Sequence, residues 1–127
     1  MANILYLDGD RDLSEIFAGY LREYGFQVRK AEDSRTVMKE LTAGHFDLLI
    51  CDRWSRPEDG HAVCERVRAL PDMRMKRIPI LMVGPEEPRA EEHKWTYLHD
   101  VYFLIKFKSA EDWYQKITTL LNNRVPS

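Results

Sequence analysis

Short apolar runs of strand length, alternating with stretches of helical spacing, limit what this chain can fold into. Ile4 to Leu7, Leu48 to Cys51, Ile78 to Val83 and Val101 to Ile105 are continuous apolar runs, and Phe26 with Val28 marks a shorter one. Between them Leu13, Ile16, Phe17, Tyr20 and Leu21 recur at helical spacing, with Gly25 as a stop. Val37 and Leu41 stripe a second helix, capped by Asp33 or Ser34 and ended by Gly44. Val63, Val67 and Leu70 line a third. A further helix is expected between Pro88 and His99, anchored by Trp95 and Leu98. Ser109 caps the last helix, whose Trp113, Ile117, Leu120 and Leu121 face inward.

Strands that are apolar throughout belong to a parallel sheet covered by helices on both faces. The expected fold is therefore α/β, a five-stranded parallel sheet in a single domain over residues 1–127. Right-handed crossovers bring the C-terminal ends of all strands to one side, where ligand chemistry belongs. Asp8, Asp52, Gly84 and Lys106 fall at those ends. A dinucleotide site is excluded, because the first strand is followed by DGDRDL, not by G-x-G-x-x-G, and no phosphate-binding G-x-x-x-x-G-K-S/T occurs.

Composition narrows the function classes. With 44% apolar residues and a net charge of −2, the chain is neither disordered nor marked as a nucleic-acid binder. The basic stretch of Arg66, Arg68, Arg74, Lys76 and Arg77 and the acidic one of Glu86, Glu87, Glu91 and Glu92 read as solvated surface. Cys51 and Cys64 sit in apolar contexts and read as small buried hydrophobes, which suits a reducing compartment. Neither a signal peptide nor a membrane span is expected, so the location expected is cytoplasmic.

Neighbouring strands lie about 5 Å apart, so the carboxylates of Asp8 and Asp52 can share a centre. Charges that close need a compensating cation. Lys106 can supply one, and the pair leaves room for Mg²⁺, a hard ion that uses few protein oxygens and keeps its waters. Asp52 can then act as a nucleophile toward a phosphoryl donor, giving an acyl phosphate.

At these residues the chain resembles the receiver domains of two-component response regulators. The resemblance runs over residues 3–122, through the segments ILYLDGD, FDLLICD, Asp59-Gly60, IPILMVG and FLIKF. It implies a flavodoxin-like strand order 2-1-3-4-5 and phosphoryl transfer from a histidine kinase or phosphotransfer protein onto an aspartate. By position Asp52 resembles the phosphoacceptor and Lys106 the lysine that contacts the phosphoryl group. Asp8 resembles the first of the paired metal acids, and the backbone carbonyl of Trp54 a further Mg²⁺ contact. Phe103 matches the aromatic whose rotation reports the phosphorylated state.

The chain departs from the family pattern at four places. Gly9 stands where the second metal acid belongs, which weakens the implied Mg²⁺ site. Gly84 replaces the hydroxyl residue that bonds the phosphoryl oxygen, and Phe107 replaces a cis-proline. Pro57 lies one place late in the loop after the acceptor. Asp10 either substitutes for the missing acid or, with Asp12 as the other candidate, caps the first helix. Arg53 and Arg56 either set a guanidinium near the metal position or point to water.

Trp95, Tyr97, Tyr102, Trp113 and Tyr114 gather in the final third. They are either partly buried rings or a docking surface on the face made, in the family's order, by helix four, strand five and helix five. A downstream protein target or a homodimer would use that face, with no direct contact to nucleic acid or membrane. Two readings remain: a phosphorylatable receiver, or a pseudo-receiver that signals by binding alone. An enzyme is not expected beyond self-phosphorylation, since no separate general base or substrate cavity is indicated. The sequence fits either a stand-alone protein or a domain of a longer one.

Overall fold

The apolar runs become the centre of one parallel sheet. The computed structural model describes residues 2–86 and 99–122. In chain order the elements are β1 (Asn3–Leu7), α1 (Arg11–Glu23), β2 (Gln27–Ala31), α2 (Ser34–Ala43), β3 (Leu48–Asp52) and α3 (Gly60–Arg68). A single turn, α4 (Met73–Lys76), precedes β4 (Ile80–Gly84), β5 (Val101–Ile105) and α5 (Ala110–Asn122). The helix expected between Pro88 and His99, with Trp95 and Leu98, lies outside the described residues.

The strand order is β2-β1-β3-β4-β5, all parallel, as the resemblance implied. It explains the composition of each strand. β1, β3 and β4 have neighbours on both sides, and their apolar residues are all buried, whereas the edge strands β2 and β5 carry polar or half-exposed positions. Side chains alternate between two core layers. Leu5, Leu7, Leu49, Cys51, Ile80 and Met82 pack under α2 and α3, against Val37, Leu41, Val63 and Val67. Ile4, Tyr6, Leu48, Ile50, Leu81 and Val83 pack under α1 and α5, against Phe17, Leu21, Trp113 and Ile117. At about 25 cal/mol per Å² these two layers dominate the stability.

Several boundaries move. β4 starts at Ile80, not Ile78, because Ile78 closes the α4 turn by donating its N–H to the Met75 carbonyl. α1 turns Ile16 and Tyr20 outward (52% and 42% exposed) and buries Ser14 and Ala18, whose small side chains let the helix approach the sheet. Asp33, not Ser34, caps α2, accepting from the Thr36 N–H. Gly25 ends the turn after α1 at φ +100°, a conformation costly to other residues.

Candidate functional site

Register builds the site. Leu7 pairs with Cys51, which sets Asp8 beside Asp52 at the ends of β1 and β3, and Gly84 pairs with Ile105, which sets Lys106 one step beyond. Asp8 is buried. Its Oδ2 accepts from the Tyr6 hydroxyl at 2.8 Å and from Lys106 Nζ at 2.6 Å, and its Oδ1 accepts from the Asp10 N–H at 2.9 Å. Asp52 Oδ1 accepts from the Trp54 N–H at 3.0 Å, and its Oδ2 lies 3.8 Å from Lys106 Nζ. Lys106 is itself fixed at both ends of its backbone: its N–H donates to the Gly84 carbonyl at 2.6 Å, and its carbonyl accepts from Trp113 Nε1 at 3.0 Å.

The two carboxylates differ in access. Asp8's side chain is sealed and Asp52's is 15% exposed. Burial raises the Asp52 pKa, against the lowering effects of the Trp54 N–H and Lys106, and the Asp8 charge adds to the rise. Burial and the Asp8 charge push the Tyr6 phenol up as well, so it stays a neutral donor. A protein interior that surrounds two anions and one cation this way leaves Asp52 as the carboxylate that a solvent-borne electrophile can reach.

The loop after Asp52 is stapled to α2. The Ser34 N–H donates to the Arg56 carbonyl at 2.9 Å, the Glu58 N–H reaches Ser34 Oγ at 3.3 Å, and Ser55 Oγ donates to the Glu58 carbonyl at 2.7 Å. The Arg56–Pro57 peptide within it is cis. Asp59 caps α3 by accepting from the Ala62 N–H. Gly60 is demanded by crowding: a Cβ there would stand 2.4 Å from Met82 Cε and 3.0 Å from Arg53 Cα.

Asp10 proves to be the cap of α1, its Oδ1 accepting from the Leu13 N–H at 2.9 Å, so its carboxylate is already used beside the site. Among the described site residues Asp52 keeps the carboxylate open to a divalent ion, with Asp8 already holding three protein donors. Among the described residues no group of three or more His, Cys, Asp or Glu side chains is placed to hold a metal ion. Such a donor set suits a largely hydrated Mg²⁺, not a tightly ligated one.

Arg53 was expected near the metal position or in water, and it is in neither. Its side chain is 4% exposed and runs across the end of β4, where a Cβ on Gly84 would lie 2.7 Å from Arg53 Cδ. The guanidinium stands 5.4 Å from the centre of the Phe103 ring and 5.0 Å from that of Trp54, and Nη1 donates to the Glu86 carbonyl at 3.2 Å. Burial lowers its pKa. Arg56 does point to solvent. The burial of Arg53 and the glycine at residue 84 are thus one structural fact, since the arginine fits because residue 84 has no side chain. The signal was present in the sequence as a long cation next to the acceptor and a glycine on the neighbouring strand.

The aromatic residues separate. Tyr114 stacks on Tyr24 at 4.3 Å, toward the end of α1, and Tyr102 lies on the edge strand β5 with its hydroxyl on Asp100 and Lys116 Nζ 5.9 Å from its ring. Trp113 belongs to the core, as its spacing indicated. Trp95 and Tyr97 fall outside the described residues. Phe107, in the place of the family's proline, is exposed, with its ring 6.4 Å from Phe17.

Comparison with known proteins bears on the family and the fold. The family profile described as the response regulator receiver domain matches residues 4–118. The chemotaxis protein CheY of Pseudomonas aeruginosa is 36% identical over 88 residues, covering 68% of each chain. CheY-3 of Vibrio cholerae is 31% identical over 90 residues, covering 69% of this chain and 67% of the relative. Among solved structures, a putative response regulator from Chloroflexus aurantiacus superposes with TM-score 0.86 at 24% identity, covering 96% of this chain and 98% of that one. CheY4 of Vibrio cholerae superposes with TM-score 0.85 at 22% identity, covering 94% and 98%. At those identities the structures speak for the fold alone.

Proposed function

The chain belongs to the response regulator receiver family, and from that premise we propose that Asp52 accepts a phosphoryl group from a histidine kinase or phosphotransfer protein. Receiver domains are in general signalling modules and not enzymes, so the activity is confined to self-phosphorylation. The observation that carries the reading is the placement of Lys106 Nζ between a sealed Asp8 (2.6 Å) and an accessible Asp52 (3.8 Å).

In the proposed step an Asp52 oxygen attacks phosphorus, the bond from phosphorus to the donor breaks, and the donor leaves with that electron pair and takes up a proton. Lys106 offsets charge on the phosphoryl oxygens. Tyr6 and the Asp10 N–H keep Asp8 satisfied while the lysine shifts from one carboxylate toward the other. Mg²⁺, held by Asp52 and the Trp54 carbonyl with Asp8 through water, would supply further charge neutralisation. Output passes by protein contact, to a downstream target or a second copy, through the edge strand β5 with Phe103 and Tyr102. Two buried free thiols, Cys51 and Cys64, favour the cytoplasm as its place. Among the described residues no helix is long and apolar enough to cross a membrane.

One observation favours the second reading, a pseudo-receiver that binds without being phosphorylated: Asp8 already has a full set of protein donors, so the site is stable without a metal. Intact mass after incubation with acetyl phosphate, with and without Mg²⁺, decides between them. One added phosphoryl mass, absent in Asp52→Asn, supports acceptance. No adduct from acetyl phosphate or from a histidine phosphodonor leaves the binding module.

A further inference from the structure

Successive residues of a strand point to opposite faces, so Tyr6 and Asp8, two apart at the end of β1, share one. The Tyr6 ring is fully buried in the layer under α1 and α5. From there its hydroxyl donates to Asp8 Oδ2 at 2.8 Å, the same oxygen that Lys106 Nζ holds at 2.6 Å. Among the described residues these are the two side chains that donate to Asp8, and a single oxygen takes both. The other oxygen, Oδ1, takes the Asp10 N–H.

Packing fixes the direction of that hydroxyl. Trp113 meets the Tyr6 ring edge-on with centroids 5.9 Å apart, and is itself stacked on Phe17 at 4.6 Å. The indole N–H of the same Trp113 donates to the Lys106 carbonyl at 3.0 Å. One residue of α5 thus anchors both the phenol and the root of the lysine around one carboxylate. Nζ, at the end of a flexible four-carbon stem, is the part that can move.

A tyrosine that only filled the core could donate to any carbonyl; this one donates to the oxygen that the lysine must give up. Nζ lies 3.8 Å from Asp52 Oδ2, beyond hydrogen-bond reach, and moves away from Asp8 when it closes on phosphoryl oxygens at Asp52. Leaving a buried carboxylate without its counter-charge is costly. A second donor on the same oxygen lowers that cost, because Oδ2 keeps a charge-assisted bond after the lysine has gone.

We propose that Tyr6 is a positioning residue for phosphoryl acceptance, its hydroxyl holding Asp8 so that Lys106 can leave for Asp52. This deepens the acceptance reading and rests on it. A phenylalanine at residue 6 would fill the same space, leave Lys106 the one side-chain donor to Asp8, and tie the two together.

The test compares the wild type with Tyr6→Phe, which keeps the buried ring. The adduct is counted by intact mass over time at several acetyl phosphate concentrations, with Mg²⁺ raised until rates no longer change. The limiting rate should fall about tenfold in Tyr6→Phe, the scale of one hydrogen bond to a charged group, at an unchanged half-saturating donor concentration. A second readout needs the wild type alone and stands even where Tyr6→Phe does not fold. On phosphorylation the Tyr6 hydroxyl proton should move downfield by NMR, because Asp8 then depends on that bond more, a change that a purely packing role would not produce. Equal limiting rates, or a hydroxyl proton that stays in place in the phosphorylated wild type, overturn the proposal and leave acceptance standing. Absence of any adduct in the wild type removes the acceptance reading itself, and this inference with it.

Discussion

Lys106 closes on Asp8, not on the acceptor: its Nζ is 2.6 Å from Asp8 Oδ2 and 3.8 Å from Asp52 Oδ2. The charge that Asp8 needs when buried therefore comes from within the protein. Lys106→Met would leave that carboxylate with the Tyr6 hydroxyl and the Asp10 N–H but no counter-charge. Breaking one side of a buried pair costs about 3–5 kcal/mol, and urea unfolding at pH 7 should show a loss in that range. Asp8→Asn should cost less, about 1–2 kcal/mol, since an amide still accepts from Tyr6 and Lys106 keeps Asp52 as a partner.

Asp52 gives the opposite sign. Its pKa is raised above the ordinary 3.8, first by burial. The folded state thus holds the Asp52 proton more tightly than the unfolded state. Its contribution is fully present below the unfolded value and is lost as pH rises through the folded one. Asp52→Asn should accordingly raise the urea midpoint at pH 7 without Mg²⁺, and the gain should vanish below pH 3.8. A gain that persists in acid would assign it to packing.

Most of the fold was legible because it rests on burial. Ile4–Leu7 and Leu48–Cys51 are apolar without interruption since both faces of their strands are covered, and this signals a central parallel strand before any pairing is known. Asp8, Asp52 and Lys106 were legible for a related reason, as charges that end apolar runs must meet at one edge of the sheet. What stayed hidden depends on side-chain direction. Tyr6 lies in an apolar run and looked like core, yet its hydroxyl reaches along the strand to Asp8. Ile16 fits the helical stripe but turns outward, because α1 docks through Ser14 and Ala18. Arg53 looked like a solvated strand-end charge, and only the absence of a side chain at Gly84 allows it inside.

The Arg53–Gly84 fit predicts strong coupling between the two positions. Gly84→Ala should destabilise the protein by about 1–3 kcal/mol through overpacking, because the new Cβ would stand 2.7 Å from Arg53 Cδ. On an Arg53→Ala background the same change should be nearly neutral. A double-mutant cycle by urea unfolding measures the difference, and additive losses would show that the two residues do not constrain one another.

Cys51 and Cys64 should be inert in the folded protein. Both are fully buried, and burial pushes the Cys64 thiol up to about 12 and the Cys51 thiol well above its usual range. The nucleophile is the thiolate, so a thiol-reactive disulfide reagent at pH 8 should label neither. Both should react once urea passes the unfolding midpoint, with the labelling rate tracking the unfolded fraction. Rapid labelling of one thiol in native buffer would reveal local opening of α3 or the end of β3.

Gly9 and Gly84 both depart from the family pattern, but only one is required by this fold. A Cβ at residue 9 would lie 3.7 Å from the Glu32 carbonyl, an ordinary contact, and the residue is exposed without a positive φ. An acid there is therefore sterically admissible, and it would stand next to Asp8 and beside Asp52. Gly9→Asp should lower thermal stability in the presence of chelator, because it adds a third carboxylate beside Asp8 and Asp52. With Mg²⁺ the sign should reverse, since an ion that binds only the folded state stabilises it by mass action. A gain of one carboxylate ligand should tighten Mg²⁺ by at least about tenfold, or 1.4 kcal/mol, read as the shift of the titration midpoint in Trp fluorescence. Equal Mg²⁺ affinity in both proteins would mean that the ion, if it binds, does so away from Asp8 and Asp52, and the metal assignment would fall.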